Sequence, residues 1–412
     1  TGSQNTFVGA DAGKGGTTSA PYSSGQYSVA VGYKAFEEFT TGGYTVAIGQ
    51  EAGEKITTAD SNVLLGYRAG RNISTGAANI AIGFEALRDA NTGANIAIGG
   101  RAGVYATTGT DNVYIGDGAG YSPGTASDQV IIGHDAGYYA RNNDVVIIGE
   151  SAGYYATGSN NVFIGKEAGK GGTTSAPFSS GENNVAVGYE TLAGFTTGYN
   201  NVAIGYEAGT DITTGDDNIH IGYRAGYQQT SGTNIAIGKQ SGYAWGTATG
   251  NLAIGENALF SMTAGGRNIA IGDSALQNYT QGGNSENIAI GHSACTNFTV
   301  TAGTDYIEGN TVIGGLAASG NASNAPDARY NTMVGNRVGY VITTGKRNSI
   351  LGWRAGLALT SGTQNTFIGT STGGTITTGN YNTYIGNEAD ASADDVNDEI
   401  VIAAGAGALV GG

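Results

Sequence analysis

The sequence predicts an all-β chain, a repetitive β-solenoid or β-roll of about 22 coils, and three observations carry that prediction. A Gly recurs at 9, 32, 49, 66, 83, 99, 116, 133, 149, 165, 188, 205, 222, 238, 255, 272, 291, 314, 335, 352, 369 and 386, most spacings being 16 or 17 residues. The residue before that Gly is aliphatic in all 22 copies, and two places earlier stands a small β-branched residue in 20, Leu252 and Ser349 being the exceptions. Asn stands four residues before the Gly in 18 copies.

Each element of the coil follows from this pattern. An aliphatic, variable, aliphatic triplet is a short strand whose flanking side chains share one face, and these are expected to point into the core. The middle position, as at Ala47, Tyr114, Phe163, Ala203, His220, Ala270 and Phe367, then lies on the opposite face and meets different surroundings at different rungs. Ala in the third place after the Gly in 18 of the 22 copies, and another Gly in the fourth place in 14 of the 22, mark a tight corner where backbones approach closely. A polar Thr/Gly-rich return such as "ITTGDD" closes the coil, which has room for two short strands and two corners. The Asn positions, among them Asn62, Asn112, Asn201, Asn268 and Asn382, are expected to form a structural ladder from rung to rung. A residue repeated at every rung is a structural device and not a catalyst.

Stacked at about 4.8 Å per coil, such a chain would make a rod of roughly 100 Å. One coil is thin and buries only a narrow stripe, so assembly of several chains along their length is expected, as a parallel homotrimeric fibre. Spacings above 20 follow Gly9, Gly165, Gly291 and Gly314, and three of the four Pro (Pro21, Pro177, Pro326) fall in these connections, with Pro123 in another turn. The segments "KGGTTSAPYSSG" (14–25) and "KGGTTSAPFSSG" (170–181) differ at one residue and mark a duplicated block of nine coils. Such loops are either tolerated insertions or places for recognition. Residues 1–389 are taken as the repetitive shaft, and 390–412, with Asp394, Asp395, Asp398 and Glu399, as a cap or transition to a following domain. The chain opens at Thr1 inside a repeat, so it is expected to be a fragment or a processed form.

Composition narrows the function. With 74 Gly but 4 Pro and no triplet period the chain is not collagen, and 39% hydrophobic residues with sparse charge argue against disorder. No apolar run approaches the roughly 18 residues of a membrane span, so no membrane insertion is expected. A net charge of −15 disfavours nucleic acid as a partner, and a single Cys, Cys295, allows no intrachain disulfide.

The units "NVAIGYEAG" and "NIAIGDSAL" resemble the repeats of trimeric autotransporter adhesin heads, which are trimers of left-handed β-rolls. With the "TTG" returns and the closing "EADASADDVNDEIVI", the longer signature is similar to shafts of bacteriophage tail fibres. In related fibres an intramolecular chaperone of the endosialidase type often follows. The resemblance covers essentially the whole chain. It implies a homotrimer located in a virion tail fibre or on an extracellular surface, adjoining other fibre or virion proteins and binding a glycan or protein receptor on a host cell. A bacterial surface adhesin head is the alternative.

Chemistry is sparse. His134, His220 and His292 lie on coils too far apart to meet within one chain, so no metal site is expected, with His220 on a trimer axis as the long shot. "GKEAGKGGTT" lacks one residue of a phosphate loop and belongs to a repeated turn, and "GDGAG" at 116–120 has no βαβ context, so no nucleotide or other cofactor is expected. Glu51, Glu167 and Glu207 keep the repeat register on what should be a solvated edge, and no singular acid pair for a polysaccharide depolymerase stands out. No catalytic residues are assigned. Aromatics are the candidates for receptor contact: Tyr138, Tyr139, Tyr154, Tyr155, Tyr243 and Trp245, with Pro177 and Phe178 in the long connection, though packing between chains is the other use of such rings. Ice binding through rows of Thr in the "TTG" returns (Thr57/Thr58, Thr107/Thr108, Thr213/Thr214, Thr343/Thr344) is a further alternative, weakened by their drifting offset.

Overall fold

In the computed structural model the described residues are 2–16, 22–172, 178–280, 285–298, 307–320 and 327–403, in two compact units, Thr1–Ile204 and Gly205–Gly412. Both are parallel β-solenoids, and no helix occurs among the described residues. In the first unit twelve strands, β1 (Thr6–Val8) to β12 (Val202–Ile204), each of three residues, pair with their sequence neighbours in parallel and in register, as in Val46↔Val63, Ala47↔Leu64 and Ile48↔Leu65. The second unit repeats this from β13 (Ile219–Ile221) to β23 (Ile400–Ile402). Together the two hold about 21 turns. The last strand, β23, lies inside the segment expected as a cap or transition and pairs with β22 (Thr383–Ile385).

The return side is less regular than two strands per coil would require. Among the described residues it carries only isolated bridges, such as Ala106↔Gly124 and Arg329↔Lys346. Left-handed backbone at Ser61, Ala78 and Asp111 interrupts any ladder there. Hydrogen bonds still pass from coil to coil: Thr57 donates to Ser74 O through both its N–H (3.0 Å) and its hydroxyl (3.1 Å).

The faces of the strand are the reverse of the expectation. The middle residue is the buried one: Ala47, Leu64, Ala97, Tyr114 and Phe163 are all 0% exposed, whereas Ile48, Ile98 and Ile164 on the flanks are 37–41% exposed. A coil this small has space inside for one side chain per strand, plus the corner Ala and an aliphatic or aromatic group from the return, such as Ala52 and Ile56. Two flanking Ile side chains turned inward would overfill it.

The corner residue four places after the strand-ending Gly adjusts the volume. Where the inward residue is large, that position is Gly: a Cβ on Gly120 would lie 2.3 Å from the Tyr114 ring, and one on Gly169 2.4 Å from Phe163. At some rungs with an inward Ala a large group stands there instead, as Leu87 with Ala81, Leu192 with Ala186 and Leu276 with Ala270, all fully buried, whereas Ala47, Ala203 and Ala236 keep Gly53, Gly209 and Gly242 at the corner and have the buried Ile56, Ile212 and Trp245 from the return. Leu87 and Leu192 keep the same left-handed backbone, φ 48°, so the corner geometry is constant and only its filling changes.

The outward rows are consequently apolar. In the first unit 23 of the 24 flanking positions are Val, Ile or Leu, Thr6 being the exception. In the second unit the first row turns polar from β18 (Thr311–Ile313) to β22, with Thr311, Thr332, Ser349, Thr366 and Thr383 aligned in register, while the other row stays aliphatic.

The strand-ending Gly is fixed by both torsion and space. Gly116 has φ 131°, and a Cβ there would sit 2.5 Å from the carbonyl oxygen of Gly133 on the next coil. Gly116→Ala is therefore expected to cost about 3 kcal/mol or more, read from urea unfolding midpoints. Gly100→Ala, at an ordinary φ and facing only the movable Asp117 carboxylate, should stay within about 1 kcal/mol of wild type. Equal losses at the two sites would contradict this account of the corner.

Candidate functional site

The Asn positions lie at the entry to each strand and face inward. Asn62 Oδ1 accepts from the backbone N–H (2.9 Å) and the side chain (3.1 Å) of Asn79, while its own amide donates to Gly76 O at 3.1 Å. Asn112 donates to Asn95 Oδ1 (3.0 Å) and Ala126 O (2.9 Å). Asn201 donates to Asn184 Oδ1 from backbone (2.9 Å) and side chain (3.0 Å), and Asn268 to Asn251 Oδ1 likewise (3.0 and 3.1 Å). Asn382 spans Asn365 below and Glu399 N above. Each amide so occupies donors and acceptor on its own and the adjoining rungs, leaving nothing for a ligand. Where Asn is replaced, Ser28 and Thr45 carry the chain of bonds on with their hydroxyls, more weakly, at 3.3 and 3.4 Å.

The aromatic candidates of the first unit come together. Tyr138 and Tyr154 stack at 5.0 Å and 11°, Tyr139 and Tyr155 at 6.0 Å and 11°, and Phe178 lies 4.7 Å from Tyr139. Sequence pairs alone missed two further members, Tyr121, stacked on Tyr138 at 4.5 Å, and Tyr105, edge-on to Tyr121. Their common register, five or six residues after the strand-ending Gly, was the signal that would have found them. Burial pushes the Tyr138 phenol up to about 12, with neighbouring phenols adding to the shift. Since the rings cover one another's faces, the ladder presents edges and hydroxyls to solvent, which suits hydrogen bonding more than stacking on a ligand. Pro177 lies outside the described residues.

In the second unit Tyr243 is half-buried between Tyr227 (5.2 Å) and Phe260 (5.0 Å). Trp245 is a correction to the candidate set: it is 0% exposed, filling the coil interior under Gly242, and cannot reach a receptor. His220 is corrected for the same reason. As a middle residue it points into its own coil, 0% exposed and 6.1 Å from the Trp245 ring, so three copies could not share a metal through it. Neither ring nitrogen makes a hydrogen bond of good geometry, and burial pushes the imidazole down to about 4, the Gln229 side chain offsetting part of this. Among the described residues no group of three or more His, Cys, Asp or Glu is arranged to hold a metal ion.

The register carboxylates do not form a solvated edge. Glu51 and Glu207 are buried to 8% and 7% exposure, and pair along the stack with Arg68 (2.7 Å) and Arg224 (2.5 Å), while Glu54 meets Arg71 at 2.5 Å. Burial raises the Glu51 carboxyl, but the hydrogen bonds from Arg68 and Gln50 and the charges of Arg68 and Arg71 together outweigh it and hold the group below the usual range. Glu167 is the more open one, bound to Lys170 at 2.8 Å. The Glu–Arg pairs tie adjacent coils together, and each of these four carboxylates has a cationic partner. The "TTG" threonines are also internally engaged: Thr107, Thr213 and Thr343 donate their hydroxyls to the next coil's carbonyl at 2.9–3.0 Å.

No family model, no curated protein and no solved structure matches this chain.

The His220 environment gives a pH dependence. The folded pKa lies below the unfolded one, so the unfolded chain binds the extra proton. Stability from this site is complete above about pH 6.5 and falls as pH drops toward 4, by up to about 3 kcal/mol. His220→Ala, matching the inward Ala236 and Ala253 of the next rungs, should lose that component. Unfolding midpoints at pH 7 and pH 4.5 are expected to differ less in the variant than in wild type, and an unchanged difference would contradict the burial argument.

Proposed function

We propose that this chain is a structural and adhesive fibre segment, most simply the shaft of a phage tail fibre, which assembles as a homotrimer and attaches to a glycan or protein receptor on a host cell surface. The observation that supports it most is the uncovered aliphatic face of the strands. Val, Ile and Leu fill 23 of 24 outward positions in the first unit, and several are more than a third exposed in a single copy. A continuous apolar face of that kind marks an association surface, since each Å² removed from water contributes about 25 cal/mol. The same side chains recur at every rung in register, so a second copy of the chain is the natural partner, each rung meeting its equivalent. The stoichiometry of three, and the placement on a virion, rest on the resemblance to trimeric adhesin heads and tail-fibre shafts. A bacterial surface adhesin head shares this assembly and differs only in what carries it.

A reading of another class is ice binding. It draws on the five aligned outward residues Thr311, Thr332, Ser349, Thr366 and Thr383, not on the "TTG" returns, where the first hydroxyl of each pair is already engaged. The row beside them, Ile313 to Ile385, is aliphatic, and a thermal-hysteresis assay separates the two readings.

Attachment is testable with the fluorescently labelled chain on a panel of Gram-negative and Gram-positive cells. Saturable binding, competed by extracted surface polysaccharide or removed by protease treatment of the cells, is expected on at least one member. Ile98→Lys with Ile164→Lys places charges on the outward face; it should keep the β-sheet signal but lower attachment by about 10²-fold through lost multivalency. Absence of attachment across the panel, or full attachment by the double variant, would count against the proposal.

A further inference from the structure

We propose that a notch at Gly100 in the first unit is a saccharide site that takes a neutral pyranose, a reading that rests on the adhesive function above and gives it a location. In the row of residues directly after the strand-ending Gly, Tyr67 and Phe84 stack at 5.3 Å and 14°. The next rung has Gly100 in that place, so the stack stops. Phe84 is its last ring, 47% exposed, with no ring covering the face toward Gly100.

The space is bounded by polar groups of both signs. Asp117, in the same row one rung further on, leans back over the gap: its Oδ1 lies 2.6 Å from where a Gly100 Cβ would sit. Asp135 does the same over Gly118, at 2.2 Å. The Arg101 guanidinium carbon stands 5.6 Å from the Phe84 ring centre at the rim, its side chain 57% exposed. The stacked edges of Tyr121, Tyr138 and Tyr154 form the far wall. The depression they enclose holds about 490 Å³, within the range of small-ligand sites.

A pyranose matches these groups one by one. Its C–H face is apolar and lies against Phe84 once the exposed Arg101 side chain, whose guanidinium stands over that ring at 5.6 Å, swings aside. Its vicinal hydroxyls donate to a carboxylate, here Asp117 or Asp135, and its oxygens accept from Arg101 and from the tyrosine hydroxyls. Two carboxylates against the single Arg101 leave the site negative, which repels uronates and other anionic sugars. A neutral hexose unit remains, presented by a surface polysaccharide.

Isothermal titration of the full chain in its native assembly with cellohexaose, chitohexaose, maltohexaose and mannohexaose tests this, with polygalacturonate and spermine as charged probes. At least one neutral hexasaccharide is expected to bind saturably. Gly100→Phe fills the notch by continuing the Tyr67–Phe84 stack; the backbone there is not left-handed, and only the mobile end of Asp117 must move. It should lower affinity at least about tenfold, and Asp117→Asn, which preserves shape, should do so too. Binding of spermine or polygalacturonate alone, no binding of any neutral probe, or equal binding by both variants and wild type would overturn the site. Cell attachment measured in parallel separates the two proposals. If Gly100→Phe attaches to cells as well as wild type, the site falls and the adhesive reading stands. If neutral-sugar binding depends on Gly100 but no cell is bound, the site stands and the adhesive reading falls.

Discussion

Everything in this structure depends on the volume inside one coil. Each strand of three residues sends a single side chain inward, and the corner four residues past the strand-ending Gly or the return makes up the difference: Gly120 beside Tyr114, Leu87 beside Ala81, Ile56 with Ala47. With the interior closed at that size, the β-branched and aliphatic flanks have only one place to go, the outer face. The apolar surface available for association is therefore a geometric consequence of the core, produced at every rung by the same constraint.

The ladders between rungs turn this repeated cross-section into a cooperative stack. Asn amides satisfy one another inside, Glu–Arg pairs such as Glu51–Arg68 do so at the corners, and Thr hydroxyls reinforce the return. Because those groups are saturated by their neighbours, the proposed recognition is placed where the repeat departs from itself. Gly100 is such a place, breaking a run of aromatic residues and exposing the last ring of the run. The change from Val and Ile to Thr and Ser between β18 and β22 is another.

Much of the fold was legible because a fixed period needs no tertiary information. The strand positions, the stacking of coils and the Asn ladder, as at Asn112, follow from spacing alone. The direction of the strand faces did not. Alternation with period two assigns two faces but does not say which is inside, and the rule that larger aliphatics are buried chose wrongly. The pairing of Tyr114 with Gly120 and of Ala81 with Leu87 carried the missing information, as a compensation of volume across six residues. His220 was misplaced by the same inversion, Trp245 because a large ring on the return fills the coil interior, and Tyr121 was missed because adjacent pairs in sequence are less telling than equal register on neighbouring coils. The notch at Gly100 was hidden for a different reason, since a site made by an absent side chain has no motif.

The claim on which the account turns is that the outward aliphatic rows are covered by further copies of the chain. The mass of the native particle in solution, by sedimentation equilibrium, tests it most directly. Three chains per particle, unchanged on dilution to nanomolar concentration, is the predicted result; a stable, soluble single chain with those rows open to water would contradict it.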